Sequence, residues 1–185
     1  EYEKQFAKFF GSKYSVMCSS GSTANLLMVA ALFYKKQGAL KAGDEVIVPA
    51  VSWSTTYYPL HQYGLKLRFV DIDLETLAVN LLGNPNDFTV IQKMIAGRDI
   101  TLIEDNCESM GATLGGRQCG TFGVMGTFSS FFSHHISTME GGNVVTDDEE
   151  LYHIMLCLRA HGWTRNLPKH NHVTGVKSDN AFEES

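Results

Sequence analysis

The stretch YSVMCSSGSTANLLMVAALFYKKQ, residues 14–37, changes from a strand pattern to a helix pattern at Gly21. Residues 14–20 form the short apolar run that is typical of a buried strand. Residues 21–37 predict a helix, because small polar residues stand at its start and lysines at its end, where the helix dipole favours cations. A strand that turns directly into a helix is the basic unit of an α/β sheet.

The same alternation continues along the rest of the chain. Further strands are predicted over residues 44–50, 65–73, 78–83, 99–106, 126–133 and 141–148, and further helices over residues 53–64, 86–97 and 148–162. We expect the helix over 53–64 to be interrupted near Pro59, because proline has no N–H to donate. The alternation predicts an α/β fold, with a mostly parallel sheet and helices on both faces.

One connection in this series is too short for a parallel sheet. Only Leu-Glu-Thr lies clearly between the strands predicted over 65–73 and 78–83. A parallel crossover needs roughly a dozen residues or more, and no hairpin turn sequence is present there. Either the two strands are antiparallel, or a helix is missing between Leu77 and Ala78, and we favour the missing helix.

Composition limits the class of protein. The chain has 185 residues, 44% of them hydrophobic, which suits one globular domain, and its net charge of -5 gives no reason to expect nucleic acid or a membrane surface as a partner. The apolar runs are too short to span a bilayer. Four widely spaced cysteines lack metal-ligand spacing and are interpreted as reduced cytosolic thiols, so no metal is expected. Both ends of the chain suggest a piece of a longer protein.

Ligands of open α/β sheets collect at the carboxyl ends of the strands, where this sequence has three polar clusters. The first is SSGSTAN, residues 19–25. Gly21 lets the backbone approach a ligand closely, Ser22 and Thr23 offer hydroxyl groups, and the helix start offers free N–H groups, which together suit a phosphate. The alternative is an ordinary helix start, with Ser20 or Ser22 as its N-cap.

The second cluster is IEDNCESMGA, residues 103–112. Asp105 at the strand end is a candidate partner for a protonated ring nitrogen, because a buried carboxylate needs a cation. Glu108 would lie near the same site if a helical turn follows. The alternative for both acids is a solvated loop or a helix cap. Trp53, directly after another strand, is a candidate to stack on a flat ring, or else a core residue.

The third cluster is SSFFSHHISTMEGG, residues 129–142. Its serines are candidates for a phosphate contact. His134 and His135 are adjacent, so in an extended segment they would point to opposite sides, and at most one would face a given ligand. The other would pack or bond to the backbone.

Taken together, these motifs and GDEVIVPAVSW, FVDID and GTFG resemble the DegT/DnrJ/EryC1/StrS family of sugar aminotransferase-like proteins along nearly the whole chain. The resemblance implies pyridoxal 5'-phosphate (PLP) as cofactor, on the aspartate aminotransferase fold (fold type I). Residues 1–185 would then be the cofactor-binding large domain of a homodimer, without the small C-terminal domain and with a segment missing between Leu77 and Ala78.

The third cluster departs from the usual family pattern. Most members carry a Schiff-base lysine five residues after a serine, and here Ser130 plus five is His135. No lysine occurs from Met94 to Pro168. This departure resembles a branch of sugar 3-dehydratases that hold pyridoxamine 5'-phosphate (PMP) non-covalently. Histidine cannot form the covalent link of lysine, but it can still move protons near neutral pH.

The resemblance to this branch implies removal of the 3-hydroxyl of GDP-4-keto-6-deoxy-D-mannose, in the colitose pathway, with L-glutamate regenerating PMP. The catalytic residue would be His135. The residues implied to bind the cofactor are Gly21, Ser22 and Ser130 at the phosphate, Trp53 on the ring, Asp105 at the ring nitrogen and Glu108 near the polar edge of the ring.

Two other functions stay open at this point. A related CDP-sugar 3-dehydratase also has paired histidines but works with an iron–sulfur cluster, which the cysteine spacing of this chain does not support. A family member without catalytic activity would also lack the lysine. Retention of Trp53, Asp105 and Glu108 argues against such a protein.

Overall fold

The computed structural model describes residues 1–71 and 83–177. In these ranges no helix is long and apolar enough to cross a membrane. The elements, in chain order, are α1 (Tyr2–Phe10), β1 (Tyr14–Cys18), α2 (Gly21–Phe33), β2 (Glu45–Pro49), α3 (Ser54–Gln62), β3 (Lys66–Val70), α4 (Phe88–Ile95), β4 (Ile103–Asp105), β5 (Thr113–Leu114), β6 (Arg117–Gln118), β7 (Met125–Ser129), β8 (Gly142–Thr146), α5 (Glu149–Arg159), β9 (His170–Asn171) and β10 (Gly175–Val176).

A four-stranded sheet in the order β1-β8-β7-β4 forms the centre of the fold. Strand β7 is parallel to β4, with Thr127 opposite Asp105, and antiparallel to β8, with Ser129 opposite Gly142. Because β8 is also antiparallel to β1, strands β1, β4 and β7 run in the same direction. Their carboxyl ends therefore lie along one edge of the sheet. Strands β2 and β3 form a separate parallel pair in the described ranges.

Helices cover both faces of this sheet, as the alternation of strands and helices predicts. On one face, helices α2 and α5 pack around Val144 in the largest apolar cluster. On the other face, Phe10 of α1 packs against Phe128 and Val145. Since Val144 and Val145 are neighbours in β8, their side chains point to opposite sides of the strand.

Helix α3 corrects one prediction. We expected an interruption near Pro59, but the helix continues from Ser54 to Gln62 with Pro59 inside it. The missing N–H of Pro59 would have bonded the carbonyl of Thr55, four residues earlier. That carbonyl instead accepts a hydrogen bond from Asn25 Nδ2 of α2, at 3.3 Å. A contact between helices therefore satisfies the group that proline leaves without its usual partner.

Other boundaries differ by a few residues from the sequence predictions. Helix α2 ends at Phe33 rather than at residue 37, and β4 starts at Ile103 rather than at residue 99. Strand β7 ends at Ser129, because the chain turns after it, with the N–H of His134 bonded to the carbonyl of Phe131. The strand predicted over 78–83 and the helix expected between residues 77 and 78 lie outside the described residues.

Candidate active site

The start of α2 lies directly against the ends of β7 and β8. A Cβ atom on Gly21 would lie 2.5 Å from Cβ and 2.9 Å from Oγ of Ser129, and one on Gly142 would collide with the carbonyl oxygen of Ser20. Only glycine fits at either position without a shift of the backbone. The sequence therefore brings its first and third polar clusters together at the carboxyl edge of the sheet.

Ser20 is the N-cap of α2. Its hydroxyl accepts a hydrogen bond from the N–H of Thr23 at 3.1 Å, and Thr23 Oγ1 accepts one from the N–H of Ser20 at 2.9 Å. This reciprocal capping leaves the N–H groups of Gly21 and Ser22 without an acceptor among the described residues. Both predicted features, a capped helix and free donors for an anion, are thus present at the same helix start.

Asp105 lies at the end of β4, half-buried, in a network of neutral donors. Its Oδ2 accepts hydrogen bonds from Asn25 Nδ2 at 2.8 Å and from Thr56 Oγ1 at 2.7 Å. Its Oδ1 accepts one from the N–H of Cys107 at 3.2 Å. These partners hold the carboxylate in place without neutralising its charge. The sequence analysis does not single out Asn25 or Thr56, because each is an ordinary polar residue inside a predicted helix.

Trp53 and Glu108 are close in sequence to members of this network. Trp53 stands three residues before Thr56, and Glu108 stands three residues after Asp105. Trp53 directly precedes α3, the helix that carries Thr56, and its side chain is 69% exposed. The alternative that Trp53 is a core residue is therefore wrong for this chain. Glu108 is half-buried in the turn that follows Asp105. The assignment of both residues to the cofactor stays a prediction.

The two serines at the end of β7 face opposite ways. The side chain of Ser129 adjoins Gly21 at the start of α2. Ser130 Oγ instead lies 2.6 Å from Thr138 Oγ1, and both belong to the loop after the strand. The assignment of Ser130 to a phosphate stays a prediction, and the geometry favours Ser129, which the sequence analysis included only among the serines of the third cluster.

The loop of residues 131–140 connects β7 to β8 and carries both histidines. It is not the extended segment on which we based their opposite orientations, since it turns at residues 131–134. His134 is half-buried, and its ring lies 5.9 Å, edge to face, from the ring of Phe131. His135 is exposed. The loop therefore presents two different imidazole environments.

Four residues close the base of this loop, and we call Ser130, Thr138, Glu140 and Gly141 the neck. The N–H of Ser130 bonds to the carbonyl of Gly141 at 3.0 Å, and the N–H of Thr138 bonds to the carbonyl of Ser130 at 2.9 Å. Thr138 Oγ1 lies 3.0 Å from the carbonyl oxygen of Glu140. The neck holds the two ends of the loop together next to the site.

Burial favours the neutral thiol form of Cys107, which lies beside Asp105, and of Cys119. It raises the pKa of Cys107 well above its ordinary value, and the nearby charge of Asp105 raises it further. Burial raises the pKa of Cys119 to about 11. The described part of the chain contains no group of three or more potential ligand residues that could hold a metal ion.

Glu104, next to Asp105, should make the stability of the fold depend on pH. Its carboxylate is only 3% exposed and accepts hydrogen bonds from the N–H groups of Gly120 and Gly123. Burial raises the pKa of Glu104 above its ordinary value of 4.5, although the backbone donors partly oppose this shift. The folded state thus binds this proton more tightly than the unfolded state. Its contribution to stability is present below the ordinary pKa and is lost as pH rises through the raised pKa.

We therefore expect the free energies of unfolding of wild type and Glu104→Gln to depend differently on pH. The advantage of wild type over the variant should shrink as pH rises above the ordinary carboxyl pKa of 4.5. Urea unfolding at a series of pH values measures it. A difference that stays constant across this range would contradict the prediction.

The fold and this arrangement define an α/β protein of the aminotransferase type, with the capped start of α2 and the carboxylate of Asp105 at the carboxyl edge of its sheet. The profile of the DegT/DnrJ/EryC1/StrS aminotransferase family matches residues 1–179, and the chain belongs to this family. This confirms the family resemblance and the fold inferred from the sequence.

Individual relatives are more informative than the family. GDP-4-keto-6-deoxy-D-mannose 3-dehydratase of Escherichia coli O55:H7 is 68% identical over 204 residues, covering 100% of this chain and 53% of that protein. The crystal structure of GDP-4-keto-6-deoxymannose-3-dehydratase with a trapped PLP-glutamate geminal diamine superimposes with a TM-score of 0.96 at 68% identity, covering 99% of this chain and 52% of that one.

A third comparison concerns a variant of the same kind of dehydratase. In that solved structure a histidine is replaced by lysine, and the serine directly before it by asparagine. It superimposes with a TM-score of 0.94 at 67% identity, covering 100% of this chain and 53% of that one. This chain spans about half the length of the curated relatives it matches.

Proposed function

We propose that the protein is a nucleotide-sugar 3-dehydratase that removes the 3-hydroxyl of GDP-4-keto-6-deoxy-D-mannose with PMP, and that L-glutamate regenerates PMP from PLP. The observation that carries this proposal is the loop of residues 131–140. It follows the end of β7, where Ser129 adjoins the first residue of α2 and Thr127 lies opposite Asp105, and it carries two histidines and no lysine. The 68% identity to a dehydratase of this specificity supports the choice of substrate.

The residues of the site fit a ring that carries a phosphate. The N–H groups of Gly21 and Ser22 stand at the start of α2, and Gly21 packs so closely against Ser129 that a Cβ at position 21 would collide with that side chain. Asp105 offers a carboxylate whose described partners are all neutral, which suits a protonated ring nitrogen. Trp53 offers an exposed indole to cover the ring.

Each of these residues would then have a defined task. When bound, PMP supplies an amine for the 4-keto carbon and a ring that takes up electrons. Asp105 keeps the ring nitrogen protonated, and the start of α2 with Ser129 fixes the phosphate. An imidazole of the loop removes a proton at the cofactor carbon and can return it to the departing 3-hydroxyl. Glu108 would lie near the polar edge of the ring.

The choice between the two histidines is open to a direct test. The sequence assignment to His135 stays a prediction, and two observations favour His134. His134 is half-buried against Phe131, whereas His135 is exposed. His134 is also the residue of this chain that directly follows a serine, as does the histidine replaced in the solved dehydratase variant. We therefore propose His134 as the proton-transfer residue.

Further parts of the working enzyme are also proposals. We propose a cytoplasmic homodimer of the colitose branch of O-antigen synthesis, in which residues 1–185 form the cofactor-binding large domain. We further propose that a segment is missing between Leu77 and Ala78. The 204-residue alignment to the Escherichia coli relative, which is 19 positions longer than this chain, supports the missing segment.

Release of ammonia tests the proposed function. Purified protein loaded with PMP is mixed with GDP-4-keto-6-deoxy-D-mannose, with and without L-glutamate, and ammonia is measured enzymatically. We expect one equivalent of ammonia without glutamate and continued release with it. The CDP-linked 4-keto-6-deoxy sugar serves as the matched control. Faster release from the CDP-linked sugar would show that the CDP-linked sugar, not the GDP-linked one, is the preferred substrate. No release from either sugar would reject the proposed dehydration.

A further inference from the structure

The carboxylate of Asp105 has only one oxygen with room for another partner. Each carboxylate oxygen has two lone pairs. Oδ2 accepts two short hydrogen bonds, from Asn25 Nδ2 at 2.8 Å and Thr56 Oγ1 at 2.7 Å. Oδ1 accepts one from the N–H of Cys107 at 3.2 Å, and Thr127 Oγ1 lies 3.5 Å away. The Thr127 hydroxyl has a single proton and a closer acceptor, Asn25 Oδ1 at 2.6 Å, so Oδ1 keeps a lone pair.

The amide of Asn25 is held in one orientation by three partners. It is 2% exposed; its Oδ1 accepts from Thr127, and its Nδ2 donates to Asp105 and to the carbonyl of Thr55. If the amide were flipped, its oxygen would face both the carboxylate and that carbonyl. Pro59 cannot donate to the Thr55 carbonyl, so the bond from Asn25 supplies that carbonyl with a donor.

We infer that Asn25 and Thr56 are positioning residues, which occupy Oδ2 of Asp105 and so leave Oδ1 to pair with the nitrogen of the cofactor ring. This inference rests on the proposed function. The two donors come from different helices, α2 and α3, which pack on each other in the cluster that contains Val29 and Leu60. The position of the carboxylate therefore depends on the packing of these two helices. Neither residue has to touch the cofactor or the substrate to have this effect.

Binding of PMP to full-length protein tests this inference. We compare Thr56→Val, which has the same shape without the hydroxyl, with Thr56→Ser, which keeps it. The dissociation constant is measured by absorption, together with the pH midpoint at which the bound ring nitrogen loses its proton. We expect Thr56→Val to weaken binding about tenfold, as for loss of one hydrogen bond to a charged group, and to lower that midpoint. Thr56→Ser should stay close to wild type.

Two further variants complete the test. Thr56→Ala should reproduce the loss if the valine variant does not fold, and Thr89→Val makes the same exchange at an exposed position of α4 and should bind PMP like wild type. Wild-type affinity and an unchanged midpoint in Thr56→Val or Thr56→Ala would overturn the inference while leaving the proposed function intact. Failure of wild type to bind PMP would overturn the proposed function and this inference with it.

Discussion

Asp105→Asn should reduce turnover on the order of 10²–10³-fold, the loss expected when a preorganised electrostatic partner is removed. The donors of Asn25 and Thr56 face Oδ2 of Asp105, so the new amide would keep its oxygen on that side. Its NH₂ group would then stand at the position of Oδ1. A donor there repels a protonated ring nitrogen instead of stabilising it, so the substitution reverses the interaction rather than only weakening it.

Steady-state turnover with saturating PMP and GDP-4-keto-6-deoxy-D-mannose measures this effect. Asp99→Asn removes the same charge from an exposed position and serves as the control, with turnover close to that of wild type. Near-normal turnover of Asp105→Asn with PMP bound would mean that Asp105 has no such role.

Replacing the histidine that we propose for proton transfer should have an effect of at least the same size. A side chain that transfers a proton in the rate-limiting step contributes about 10²–10⁴-fold. We therefore expect His134→Asn to lose dehydration by such a factor and His135→Asn to lose much less, because His135 is exposed. The reverse order would restore the original assignment to His135, and equal losses would show that both imidazoles take part.

Covalent trapping gives a second measurement on the same pair. Wild-type protein mixed with PLP and treated with borohydride should yield no pyridoxyl-lysine at the site, since no lysine occurs between residues 94 and 168. His134→Lys should gain that adduct and lose dehydration, because the added amine would capture the cofactor and the imidazole would be gone. His135→Lys is the matched variant, one position along the same loop. A pyridoxyl-lysine adduct at the cofactor site of the wild-type protein would indicate an ordinary aminotransferase and contradict the proposed dehydratase.

The sequence predicted the fold better than it predicted the individual contacts of the site. Apolar periodicity locates most of the longer strands and helices from β1 to α5 to within a few residues, because burial of one face determines them. It does not predict the two-residue strands β5, β6, β9 and β10. Whether Ser129 or Ser130 adjoins the start of α2 depends on the residue at which β7 ends, because neighbouring residues of a strand face opposite sides. Apolar periodicity does not fix the last residue of a strand.

The same reason explains why Asn25 and Thr56 were missed. Each is an ordinary polar residue of a helix. Its hydrogen bond to Asp105 forms only because α2 and α3 both reach the end of β4 in the folded protein. Pro59 was misjudged for a related reason. The cost of its missing N–H was correctly recognised, but the compensating donor comes from α2, about 30 residues away. Local sequence does not contain such a partner.

The neck of the loop after β7 has an evolutionary consequence. Its hydrogen bonds join Ser130, Thr138, Glu140 and Gly141, and none of them uses an imidazole of His134 or His135. Substitution of either histidine therefore leaves the hydrogen bonds of the neck in place. We expect natural selection at these two positions to act mainly on chemistry, so that new residues can be tried there while the two ends of the loop stay joined.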